Sequence, residues 1–159
     1  WIQLVSDYDT WAKQLVDTDA FNYGMLASDW SVESDLWESL TDDVTMNIVR
    51  KGESVLEYIK QRSKSHLKSY GFVTEFAGYK CLAVNSRYES SMIFDSVRNQ
   101  YPVCVMFEFT GRCWKYSLYT NGRLNASQIA SIYGGGGHAG AAGFTTDTLL
   151  PCFTKEISE

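Results

Sequence analysis

The chain has 159 residues, 45% hydrophobic and 14% aromatic, which suffices for one domain or two small ones with a real core. Its net charge of −5 excludes gripping long nucleic acid through a broadly basic surface, so an anion must be met by a local site. The longest apolar run, Val103 to Phe107, is too short to cross a bilayer, and the opening residues do not read as a secretory leader.

Residues 1 to 65 are predicted to be mainly helical. Ile2 to Ser6 is an apolar start suited to the end of a strand, and it runs into the acidic stretch Asp7-Tyr8-Asp9. Helical pieces are expected around Trp11 to Val16 and around Val32 to Leu40. From about Asp43 the spacing predicts a long helix, because Ile48, Gly52, Val55 and Ile59 recur on one face. Gly52 on that face is costly unless another element presses tightly against it. Lys60 to Lys68 reads as the solvated, basic end of the helix, with His66 facing solvent, and Gly71 as its stop. The domain boundary is drawn at 70/71, within a transition that begins near Lys60.

Residues 72 to 120 read as strands with one helix and are followed by a further helix, hence an α/β domain with a mixed sheet and flanking helices over residues 71 to 159. Phe72 to Phe76 and Lys80 to Val84 form a hairpin around Ala77-Gly78-Tyr79. Ser90 to Arg98 suits a helix between strands. Val103 to Phe109 has the continuous apolar character of a strand covered on both faces. Cys113 to Tyr119 is the next strand, Thr120 to Arg123 a turn, and Asn125-Ala126-Ser127-Gln128 a capping box opening a helix that ends near Tyr133.

The four cysteines, Cys81, Cys104, Cys113 and Cys152, show no zinc-ligand spacing. They read as reduced thiols in a cytoplasmic protein. Trp11, Trp30 and Trp37 lie at helical positions near apolar neighbours and read as core, although each is a ring on which a base would stack.

Positions 134 to 143 hold six glycines, three alanines and His138. Glycine at this density weakens any regular element, so the run makes sense where backbone must come close to something. Successive bare N–H groups form a nest for an anion, with His138 at its lip as a directional donor or proton carrier. A run of glycines taken alone is also simply a flexible turn.

Tyr116 to Thr120, Ile129-Ala130, Gly134 to Gly137, His138 and Ala141-Ala142-Gly143 together resemble the C-terminal domain of DHH-superfamily phosphoesterases. The closing pattern, Gly-Gly-Gly-His and then Ala-Ala-Gly two residues later, matches in full. The resemblance implies that residues 1–70 are the end of a metal-binding DHH domain plus a helical linker, and 71–159 a substrate-binding domain. It implies that Gly134, Gly135, Gly136, Gly137 and His138 hold a phosphate or a terminal nucleotide. Tyr119 stands where many relatives carry an arginine, so Arg123 from the turn, or Tyr119 by stacking, would take that part. The Asp-Tyr-Asp-x-Trp segment resembles a metal-binding stretch of oligoribonuclease-like members, which implies Asp7, then Asp9, as manganese ligands.

No Asp-His-His triplet occurs in the chain, so by this resemblance most ligands of a two-manganese site are absent and catalysis requires an upstream DHH domain. The implied function is the substrate-binding part of a manganese-dependent phosphoesterase acting on short oligoribonucleotides or a related phosphodiester. The implied partners are short RNA or another small phosphorylated substrate, the upstream domain, no membrane, and a second copy if the protein forms a homodimer. Two alternatives fit the same residues. One is a non-catalytic nucleic-acid-binding module like the tail of alanyl-tRNA synthetases, and the other a pyrophosphatase- or exopolyphosphatase-like member.

Overall fold

A computed structural model of the chain describes residues 1–10, 12–31, 33–87 and 91–154. The chain divides into two compact units, residues 1–62 and residues 63–159, and the division falls inside a long helix.

The first unit is helical. Helix α1 (Ile2–Asp9) covers the residues expected to end a strand. Its backbone is instead closed into helical turns, and the Thr10 hydroxyl donates back to the Ser6 carbonyl at 2.7 Å. The expected helix at Trp11 to Val16 is absent among the described residues, which run as irregular chain from Ala12 into a turn; Trp11 lies outside them. Helix α2 (Thr18–Leu26) follows, in a stretch that reads as mixed from sequence. Residues 33 to 40 form successive turns rather than a helix, and Val32 lies outside the described residues. Trp30 is 53% exposed, so it is not a core residue. Trp37 is half-buried, with its ring nitrogen donating to the Ser31 carbonyl at 2.9 Å.

Helix α3 (Asp42–Tyr70) opens with two acidic residues in its first turn, as the positive end of a helix dipole favours. Of its predicted face, Ile48 and Gly52 are buried and Val55 and Ile59 half-buried. Gly52 packs so closely on α2 that a Cβ there would overlap the Ala20 carbonyl, and a Cβ at Gly24 would overlap that of Ile48. Glycine in these helices costs about 1 kcal/mol each relative to alanine. Close approach offsets this by burying Phe21, Val49 and Leu56, each worth about 1.5–3 kcal/mol.

The second unit is built on a six-stranded mixed sheet ordered β1-β2-β3-β4-β6-β5. Its strands are β1 (Gly71–Phe76), β2 (Tyr79–Asn85), β3 (Val103–Phe109), β4 (Trp114–Thr120), β5 (Gly136–Gly137) and β6 (Ala141–Thr146). Only β2 and β3 pair in parallel; the other neighbours are antiparallel. Ala77 and Gly78 both take positive φ, +52° and +79°, which gives the β1–β2 turn the twist a two-residue hairpin needs. Two short 3₁₀ turns, Ser91–Phe94 and Arg98–Gln100, occupy the β2–β3 crossover where one helix was expected; Ser90 lies outside the described residues. Helix α4 (Ala126–Ser131) is capped by Asn125, whose Oδ1 accepts from the Gln128 amide at 3.2 Å.

Both faces of the sheet are covered. On one face Val103, Val105, Phe107, Tyr116, Leu118 and Phe144 pack with Ile129 and Ala130 of α4 and with Phe153. On the other, Leu82, Val84, Cys104 and Met106 pack with Ile93 and Phe94, with Leu67, Tyr101 and Tyr119 alongside. This two-sided burial explains why β3 reads as an unbroken apolar run. His66 is half-buried rather than solvent-facing: its Nε2 lies 3.2 Å from the Asn85 carbonyl. Among the described residues no helix is long and apolar enough to cross a membrane.

Candidate functional site

The four glycines at 134–137 do different physical work. Gly134 takes φ +77° just past α4, where its amide donates to Ser131 O at 3.1 Å and the Gly135 amide reaches back to Ala130 O at 3.0 Å. That pair of bonds is the Schellman ending of a helix, which wants glycine at the left-handed position. Gly135 passes so near β6 that a Cβ would overlap the Gly143 carbonyl and stand 2.5 Å from the Phe144 Cβ. Gly137 combines φ +144° with an approach in which a Cβ would lie 2.7 Å from the Ala142 Cα. Gly136 has open space where a Cβ would be and, unlike Gly134, which is equally uncrowded, no positive φ.

Residues 136 to 143 form a tight hairpin. His138 and Ala141 exchange backbone hydrogen bonds at 2.8 and 3.3 Å, and the ladder continues through Gly137↔Ala142 and Gly136↔Gly143. In an antiparallel ladder, bonded and non-bonded pairs alternate. Gly136 is therefore in the next bonded pair, while the Gly137 amide turns to the open edge of the sheet. The expected nest of bare amides is corrected accordingly. Gly134, Gly135 and His138 spend their N–H groups inside the protein, because β6 and the helix end supply acceptors. No helix starts in this run either; β6 does.

The hairpin tip is pinned. The Thr120 amide donates to Gly140 O at 3.1 Å, the Thr120 hydroxyl to Ala139 O at 3.1 Å, and the Ala126 amide to Ala139 O at 2.8 Å. The end of β4 and the start of α4 thus fix the loop that carries His138, which is exposed. Arg123 lies in the turn between those two anchors. It is exposed, and its amide donates to Asn121 Oδ1 at 3.2 Å.

Strand register brings two of the candidate residues into one row. Cys104 pairs with Tyr119, Tyr119 with Ala141, and Ala141 with His138. Side chains at paired positions share a face, and adjacent strands are about 4.8 Å apart, so the His138 and Tyr119 backbones stand about 10 Å apart. Ala141 lies between them, and the next paired row is Met106, Ser117, Gly143 and Gly136. The floor is thus alanine, serine and glycine, bounded by a phenol on one side and an imidazole on the other. Tyr119 is half-buried and leans on Phe94, ring centroids 5.8 Å apart. Burial pushes its hydroxyl pKa up, so it acts as a neutral ring and donor. The opposite face behind this floor is stiffened by stacked aromatics, Tyr133 on Phe144 at 4.5 Å and Phe144 on Tyr116 at 4.6 Å.

The two carboxylates proposed as metal ligands have different settings. Asp7 is buried on α1, where it accepts from the Thr18 hydroxyl, the Gln14 amide at 2.9 Å and the Leu15 amide at 3.1 Å. The Thr18 bond first, then the Gln14 amide, hold its carboxyl below the ordinary value despite burial. Both oxygens serve the loop that leads into α2. Asp9 is exposed. Among the described residues no three histidine, cysteine or acidic side chains gather as metal ligands would, so these residues by themselves do not fit a two-metal centre.

No family model matches the chain. An uncharacterised protein of Acanthamoeba polyphaga mimivirus, R106, is 26% identical over 166 residues, covering 96% of this chain and 38% of that protein. Among solved structures, the pGpG-specific phosphodiesterase PggH of Vibrio cholerae matches with a TM-score of 0.54 and 12% identity, over 92% of this chain and 60% of its own. The DHH domain of a member of the s1p family of ribosomal proteins matches with a TM-score of 0.53 and 10% identity, over 80% of this chain and 36% of its own. The chain therefore shares the fold of these two structures over most of its length, and it spans less than two thirds of each of these relatives.

Proposed function

We propose that this chain is the substrate-holding part of a phosphoesterase whose substrates are short oligoribonucleotides or a related phosphodiester. The carrying observation is the single row in which Tyr119 and His138 flank Ala141 on a floor without large side chains. A flat base fits over alanine and glycine and stacks on the phenol ring. His138 and the outward Gly137 amide offer hydrogen bonds to a phosphate oxygen at the sheet edge, with Arg123 as a cation in the neighbouring turn. A floor that holds one nucleotide, in a chain of net charge −5, favours short substrates over long strands.

The fold shared with the pGpG-specific phosphodiesterase supports this reading. Manganese chemistry, which the sequence resemblance implies, would be completed by carboxylates and imidazoles supplied from outside these residues. Of the two candidate aspartates, exposed Asp9 is the better placed to join such a centre, since Asp7 is committed to its own loop. The part played here is positioning: a substrate end held in a pinned hairpin presents its phosphodiester to the reacting groups in one orientation.

Calorimetric titration of the chain with a 5′-phosphorylated diribonucleotide tests the reading. His138→Ala is expected to weaken binding at least about tenfold, the loss of one charge-assisted hydrogen bond, with an unchanged melting temperature. Equal binding by the variant removes His138 from the site.

A further inference from the structure

The inner end of the row carries a cation with a donor to spare. Arg98 opens the 3₁₀ turn Arg98–Gln100. Its neighbours Val97 and Tyr101 pack with Tyr119 against one cluster, and Asn121 Nδ2 donates to the Tyr101 carbonyl at 3.4 Å. These contacts hold the turn beside the end of β4 from which Tyr119 projects. Cys104 of the row belongs to that same cluster, so the turn that carries Arg98 is packed beside the row.

Within the guanidinium, Nη2 donates to Asp95 Oδ1 at 2.9 Å and sits 3.5 Å from the Ser91 carbonyl. Nε is buried and has no acceptor among the described residues. Arginine binds oxoanions best through two parallel N–H groups, and here the carboxylate takes only one of the pair. The Asp95 side chain is 56% exposed and that of Arg98 is 36% exposed, so their ion pair is of the weak surface kind. A buried donor left without an acceptor is unfavourable. An oxoanion with several oxygens, on a modest swing of the side chain, relieves both deficits.

We propose that Arg98 is a phosphate-binding residue of this site, its Nε and Nη2 receiving a terminal phosphate of a ligand seated over Ala141 and Gly143, with Asp95 displaced. This rests on the nucleotide-holding reading above. It gives a chain of net negative charge a local cation at the end of the row opposite His138. It also makes the site discriminate between ligands that carry a terminal phosphate and those that do not.

The test is calorimetric titration of the chain and its variants with 5′-phosphorylated diadenylate and with the same dinucleotide lacking the 5′-phosphate. Arg98→Gln is expected to lower affinity for the phosphorylated ligand about tenfold and to erase the preference for it. Asp95→Asn removes the competing carboxylate and is expected to raise that affinity about two- to threefold, an effect opposite in sign to any loss of structural support. If Arg98→Gln keeps the preference while His138→Ala loses binding, the Arg98 assignment is overturned and the site survives. If the unaltered chain binds neither ligand at millimolar concentration, both fall. Should Arg98→Gln not fold, Asp95→Asn decides alone: unchanged or weaker binding overturns the assignment.

Discussion

His138 and Tyr119 stand in the same lateral row of the sheet, with one methyl group, that of Ala141, between them. Ala141 is exposed, so it can be enlarged without crowding the core. Ala141→Leu is expected to change stability by less than about 0.5 kcal/mol. It is also expected to abolish detectable binding of a 5′-phosphorylated diribonucleotide, because the branched side chain fills the gap. A thermal melt and a titration on the same sample check the two halves. Undiminished binding would place the ligand elsewhere.

The glycine run is predicted to respond unevenly to alanine. Gly135→Ala and Gly137→Ala force a Cβ onto β6 and are expected to destabilise the chain by about 1–3 kcal/mol each in urea unfolding. Gly136→Ala meets open space and is expected to cost less than about 0.5 kcal/mol. Equal costs at all three positions would contradict the hairpin geometry.

Between α2 and α3 the same logic applies to Gly52. A Cβ there would overlap the Ala20 carbonyl, so Gly52→Ala is expected to destabilise, although alanine is the better helix former. The expected loss is about 1–3 kcal/mol, the cost of overpacking. A gain in helical signal with a higher melting temperature would show that the two helices do not pack this closely.

Asp7 makes a pH prediction. Its hydrogen bonds hold the folded carboxyl below the ordinary value of 3.8, so the unfolded chain takes up this proton first as pH falls. The stabilisation is fully present above about pH 5 and is lost as acidity passes the ordinary value and then the lower folded one. Asp7→Asn is expected to lower stability at neutral pH and to flatten the decline below pH 4. Because the role follows from bonds to Thr18, Gln14 and Leu15, the loss is expected with or without added manganese. A variant destabilised only in the presence of manganese would return Asp7 to the metal.

Much of the sheet unit was legible before any coordinates. The Val103–Phe107 run, the Ala77-Gly78 turn and the Asn125 cap each carry their own local physics, and each stands where the sequence puts it. Helix α2 was not legible. It contains Asn22 and Gly24, poor helix formers, and is held by packing on Gly52 some thirty residues away. Strand β6 was hidden for a similar reason: Ala141-Ala142-Gly143 has no preference for extended chain, and pairing with β4 imposes it. At the site, composition marked the glycines and His138 but could not say where their amides point, since Ala130, Ser131 and Ala141 supply the acceptors. Arg98 gave no sequence signal; its buried, unpaired Nε appears only once the crossover has folded onto the sheet.

The most direct measurement is two-dimensional NMR of the ¹⁵N-labelled chain titrated with a 5′-phosphorylated diribonucleotide. The predicted result is a set of amide shifts concentrated at Gly136, Gly137, His138, Ala141 and Tyr119, saturating with ligand, while the α1–α2 amides stay still. Shifts confined to other surfaces, or none up to millimolar ligand, would contradict the claim that this row holds a nucleotide.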